Sequence, residues 1–126
     1  MSQQTGVLDI TFKAAADLRL KQYYIVYMSA ADSVNAATTA TTKAIGVLQN
    51  KPQTAEAAVV RVLGTTKVKA QDTAIAFGDL ICPYTDGRAD EVDADLEYCI
   101  GQALESVAAE NDIIEMLLCH FTANYS

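Results

Sequence analysis

Apolar residues along this chain recur with a period of two, in short runs separated by polar or glycine-containing stretches, and that alternation predicts strands rather than helices. The runs place strands at 6–12, 22–29, 44–49, 57–63, 66–70, 79–83, 97–104 and 113–121. Strands of that length and spacing predict an all-β protein, a compact small β-barrel or β-sandwich with short hairpins and little helix. The organisation read from this pattern is a flexible N-terminal arm over 1–5 and a single β-domain over 6–126.

The connecting segments follow from local chemistry. Lys13–Lys21 holds Ala14, Ala15, Ala16, Leu18 and Leu20 but is too short for an independent helix, so one helical turn or a wide connection is expected. Four threonines in 35–42 turn an alanine-rich stretch into an expected loop or irregular edge, because their side chains compete for the backbone. Asp86-Gly87, inside Tyr84–Arg88, predicts a tight hairpin with positive φ angles and a short strand after 88. Pro52, with no N–H to donate, ends the strand at 44–49.

Two hairpins echo each other. Ile45-Gly46-Val47-Leu48-Gln49-Asn50 resembles Ile100-Gly101-Gln102-Ala103-Leu104-Glu105, and Val59-Val60-Arg61-Val62-Leu63 lines up with Ile113-Ile114-Glu115-Met116-Leu117. A weak repeat and a chance likeness of β-hairpins explain this equally well. Cys99, Gly101 and Ala103 alternate with larger neighbours, which predicts a nearly flat face that another backbone or sheet approaches. The last strand is apolar on both faces: Ile113, Leu117, Cys119 and Phe121 alternate with Ile114, Met116 and Leu118. Either it is covered on both sides within its own domain, or one face meets a neighbouring subunit. The candidate subunit-interface residues are therefore Ile113, Leu117, Cys119, Phe121, Cys99, Gly101 and Ala103.

Charge and composition narrow the function classes. Residues 1–70 carry eight Lys and Arg against four Asp and Glu, and residues 71–126 carry one against twelve, for a net charge of −7. A protein so acidic is not expected to bind nucleic acid. No apolar run approaches the roughly 18 residues of a membrane span, so no membrane partner is expected. Met1–Gly6 is polar and no apolar block follows a basic region, so no secretory leader is expected. Three cysteines without Cys-x-x-Cys spacing are expected to be reduced and mostly buried.

Candidate chemistry is sparse. His120 neighbours Cys119, so in a strand the two side chains point to opposite faces and make no nucleophile–base pair. Phosphate-cradle, nucleophile-elbow and zinc-protease motifs are missing, and no catalytic, cofactor-binding or metal residue is assigned. Asp86, Asp90, Glu91, Asp93, Asp95 and Glu97 crowd one segment but do not fit the twelve-residue calcium-loop pattern, so a solvated acidic hairpin is expected there. The reading is non-enzymatic.

The strings Gly6–Ala14, Tyr23-Tyr24-Ile25-Val26 and Ala44–Pro52 resemble the small capsid decoration, or cement, proteins of tailed bacteriophages. The resemblance continues through 59–64, 78–80, 85–87, 100–104 and 112–115, and Gly46-Val47-Leu48-Gln49-Asn50-Lys51-Pro52 is its most specific part. Segment 86–97 is more acidic than that family leads one to expect. The resemblance implies a β-barrel or β-sandwich on the outer capsid surface of the virion, present in the host cytoplasm during assembly. It implies the major capsid protein as partner, a homotrimer at three-fold positions, stabilisation of the expanded head and no cofactor. The N-terminal segment Val7, Leu8, Asp9 and Ile10 is the candidate capsid-binding site, by pairing with an exposed strand. The alternative is a particle-displayed β-module that binds a host-surface glycan or polypeptide through exposed aromatics, with Tyr84, Tyr98 and Tyr125 as candidates.

Overall fold

The computed structural model describes residues 7–71, 74–93 and 97–122, with side chains through Cys119 at the C-terminal end. Its strands are β1 (Leu8–Ala14), β2 (Ile25–Ala30), β3 (Ser33–Ala36), β4 (Ala44–Leu48), β5 (Ala57–Leu63), β6 (Thr65–Lys69), β7 (Leu80–Pro83), β8 (Ala89–Glu91), β9 (Tyr98–Ala103) and β10 (Ile113–Thr122). Among the described residues there is no helix. The protein is all-β, as the alternation predicts.

The first five strands close a barrel in the order β1-β3-β2-β4-β5, and the last five form a sheet in the order β6-β10-β9-β7-β8. Pairing is antiparallel except between β1 and β3, whose parallel contact covers Lys13↔Ser33 and Ala14↔Val34. The second sheet curls until Ala70, just past β6, bridges Ala89 of β8. Gly64 alone separates β5 from β6, at a φ of 99° that an L side chain rarely takes, so one length of chain serves both sheets.

Two cores result, and the alternation of β2 and β4 divides residues between them. Val26 and Leu48 join Ala14, Leu18, Val34, Ala58 and Val60 in one cluster. Their neighbours Ile25 and Val47 join Val68, Ile81, Ile100, Ile114, Met116 and Leu118 in the other. Burying each such aliphatic side chain contributes roughly 1.5–3 kcal/mol, and β2 and β4 gain it on both faces.

The two echoing segments form antiparallel hairpins, β4–β5 in the barrel and β9–β10 in the second sheet. Each glycine lets the partner strand come close. A Cβ at Gly46 would overlap the carbonyl oxygen of Arg61, and one at Gly101 would stand 2.5 Å from that of Leu117 and 2.6 Å from Met116 Cγ.

Three local expectations change. The loop expected over 35–42 overlaps β3, because the β2–β3 hairpin turns at Asp32 (φ 58°) and buries Val34 completely. The Thr-rich part does form a connection, in which Thr42 Oγ1 accepts the Thr39 N–H at 3.1 Å. The 13–21 segment begins in β1, whose expected range stopped at 12, and beyond Ala14 it takes the wide connection, one of its two expected forms. The hairpin at 84–88 forms, but among its residues only Gly87 takes a positive φ (93°). Asp86 instead braces it, accepting from the Arg88 N–H at 3.1 Å and from its Nε at 2.9 Å.

Candidate attachment surface

Among the described residues, the first strand is held along one edge and open along part of the other. β5 pairs with it from Leu8↔Leu63 to Lys13↔Ala57, whereas β3 reaches only Lys13 and Ala14. The N–H of Ala14 donates to Glu56 on the β5 side; those of Lys13 and Ala15 donate to Asp32 and Val34 on the β3 side. Backbone polar groups alternate between edges, so those of Asp9 and Thr11 point the same way as Lys13's, beyond the end of the β3 pairing. That half-strand is a template for an added strand.

Its side chains suit the role. Leu8 is 48% exposed and Ile10 40%, and Leu63, opposite Leu8, is 55% exposed. Ile10 stands opposite Val60, which is fully buried, so the apolar surface at the end of the barrel continues into its core. Val7 is half-buried against Gly64. Asp9 is tied down by Arg61, Nε to Oδ1 at 2.8 Å and Nη2 to Oδ2 at 3.2 Å, and this hydrogen-bonded carboxylate raises the guanidinium pKa. The structure thus brings Val7, Leu8, Asp9 and Ile10 to one open edge and adds Leu63, which pairing arithmetic across the β1–β5 ladder could have found.

The candidate subunit-interface residues separate into two groups. Ile113 and Leu117 lie exposed on the outer face of the second sheet, where Leu117, Gln102 and Leu80 stand in a row across β10, β9 and β7. Cys99, Gly101 and Ala103 do not form an exposed flat face: all three are buried within the chain. Their small size is used internally, letting β10 bring Met116 and the Leu117 carbonyl against Gly101. Cys119 is half-buried, and the side chain of Phe121 lies outside the described residues.

The cysteines are free thiols. Burial pushes the Cys82 thiol far up, and the carboxylates of Glu97, Asp90 and Asp93 push it further; Glu97 Oε1 lies 3.8 Å from its Sγ. Burial, with Cys119 next to it, pushes Cys99 up to about 12. Neither is a nucleophile at neutral pH. Among the described residues no group of three or more His, Cys, Asp or Glu is placed to hold a metal ion. The candidate aromatics Tyr84 and Tyr98 are half-buried, the former under the Arg88 guanidinium at 5.7 Å, and Tyr125 lies outside the described residues.

No family model and no characterised protein matches the sequence. Among solved structures, the crystal structure of the N base of the head fiber gp8.5 of bacteriophage phi29 matches with a TM-score of 0.70 at 18% identity. The match covers 94% of this chain and 99% of that one, so the two share their fold from end to end.

Proposed function

We propose that this protein is a non-enzymatic structural component of a tailed-phage head. In this reading it sits on the outer capsid surface as a homotrimer, binds the major capsid protein and stabilises the expanded shell by bridging its subunits. The observation that carries the reading is the end-to-end likeness to a phi29 head-fiber base, a protein named for its place on a phage head. The decoration role is the finer step. It rests on the sequence resemblance and on the open edge of β1, which offers the backbone groups of Asp9 and Thr11 beside the exposed Leu8 and Ile10. A capsid strand added there gains main-chain hydrogen bonds and apolar contact, and three modest contacts in one trimer multiply into tight attachment.

The test adds purified protein to expanded heads that lack it and measures saturable binding and heat resistance. Thr11→Pro removes the N–H that faces the open edge while leaving β5 pairing intact, since that N–H points away from β5. We expect the wild type to saturate the heads and raise their melting temperature, and the folded Thr11→Pro chain to bind at least about tenfold more weakly. Failure of the wild type to bind overturns the function; undiminished binding by Thr11→Pro overturns the docking edge.

A further inference from the structure

A groove of about 240 Å³ runs along the seam between the barrel and the second sheet, lined by Arg19, Leu20, Tyr23, Lys51, Lys69 and Ile113 among others. Its backbone is fixed from several sides: the Leu18 N–H donates to the Pro52 carbonyl at 2.9 Å, the Tyr23 N–H to that of Leu48 at 2.8 Å, and the Lys69 N–H to that of Tyr23 at 3.0 Å. Among the described residues no carboxylate lines the groove, every arginine is ion-paired and no lysine is. Lys51 and Lys69 therefore bring uncompensated positive charge to it. Leu20 is 87% exposed and Ile113 47%, whereas Tyr23 is half-buried against the shared core, so the open walls beside the cations are aliphatic.

Cations between aliphatic walls fit a peptide that carries both carboxylates and apolar side chains, and they fit a sugar polymer less well, since sugars stack on open aromatic rings. Two copies of a chain with a net charge of −7 repel each other, which disfavours a second copy as the occupant. We infer that the seam groove seats an acidic segment of the shell protein, as a contact separate from the open edge of β1. The inference rests on the reading of this protein as a head component that bridges shell subunits, and it supplies the second contact that bridging needs. Val7, at the start of the open edge, lies against Gly64 just before β6, and Lys69 is the last residue of β6. The five residues of β6, at about 3.3 Å each, set the two contacts roughly 16 Å apart. One chain thus has two separate handles for the shell, one of backbone groups and one of charge.

Binding of the full chain to expanded heads that lack it tests the contact. K51E/K69E should bind at least about tenfold more weakly than the wild type, while K51R/K69R, which keeps the charge, should bind within about twofold of it. K51Q/K69Q, which only removes the charge, should lose at least about threefold and stands in if the reversal does not fold. Wild-type binding should weaken with salt more steeply than that of K51E/K69E, because exposed charges are screened beyond about 10 Å at 0.1 M. On heads whose carboxylates have been amidated with glycinamide, wild type and K51E/K69E should no longer differ, and a difference that survives amidation overturns the acidic partner. Undiminished head binding by folded K51E/K69E overturns the contact, whether those lysines then prove to govern self-association in sedimentation velocity or retention on dextran sulfate. No binding by the wild type overturns the proposed function and this contact together. Loss confined to Thr11→Pro, with K51E/K69E binding fully, overturns the groove alone and leaves the function standing.

Discussion

In the barrel, β4 and β5 meet where Gly46 lies against the Arg61 carbonyl; in the second sheet, β9 and β10 meet where Gly101 lies against Leu117 and Met116. Around these similar hairpins the two halves close differently. The barrel encloses a small aliphatic cluster and closes through a parallel contact of two residue pairs, leaving half of β1 open. The second sheet has no core of its own: it shares one with Ile25, Ala44 and Val47 of the barrel, and it curls shut through the single Ala70–Ala89 bridge. One half keeps an edge available, and the other keeps a face available. The difference teaches that a hairpin sets how closely strands approach, while the strands around it decide which polar groups remain exposed.

The largest test of this comparison is at the glycines. Gly46→Ala should prevent folding, since its Cβ would overlap the backbone carbonyl oxygen of Arg61 and also press on the Val60 side chain. Gly101→Ala should cost roughly 1–3 kcal/mol in urea denaturation, because the Met116 side chain can move although the Leu117 carbonyl cannot. Equal costs would show that the two hairpins are equally rigid. Next in size, Leu48→Ala in the barrel core and Ile81→Ala in the shared core should each cost about 3 kcal/mol. Because β2 and β4 belong to both cores, each variant should shift one cooperative transition; separate transitions for the two halves would break the shared-core picture.

A smaller effect distinguishes the halves by pH. Cys82 and Cys99 lie in the second sheet, and both thiols are raised above their ordinary value of 9.0. A raised thiol favours the folded state fully below that value, and the contribution is lost as pH climbs through the folded value. Thermal stability should therefore fall above about pH 9. The Cys82→Ala/Cys99→Ala chain should lose less over the same rise. Tyr24, raised by burial and by Asp86, adds to the fall in both proteins. The smallest effect is at Asp17, whose carboxyl is held at about 2 chiefly by its hydrogen bond from Arg19. Both side chains are about half exposed, so Asp17→Asn should leave the denaturation midpoint unchanged.

The period-two pattern located eight strands well because each spans several alternating residues, and 57–63 coincides with β5. β3 escaped because it is four residues long with only Val34 buried, and the Asp32 turn that creates it carries no Gly or Asn-Gly signal. The small residues at 99, 101 and 103 were legible as a close approach but not as an internal one: alternation tells which side chains share a face, not what covers it. Leu8 and Ile10 were legible as apolar, while their open edge depends on where β3 stops, a tertiary fact. The groove lined by Arg19, Leu20, Tyr23, Lys51, Lys69 and Ile113 draws on four segments distant in sequence, so no local pattern announces it.

The joint at Gly64 has a mechanical meaning. With no loop between β5 and β6, a pull entering at Leu8 meets its exit at Leu63 directly across the antiparallel β1–β5 ladder, so the load falls on that end pair first instead of being shared by all six paired positions. It then crosses one residue into the second sheet without slack. A protein tethered by its first strand would pass tension straight into its far half, and once the Leu8–Leu63 pair gave way the ladder would unzip bond by bond from the tether.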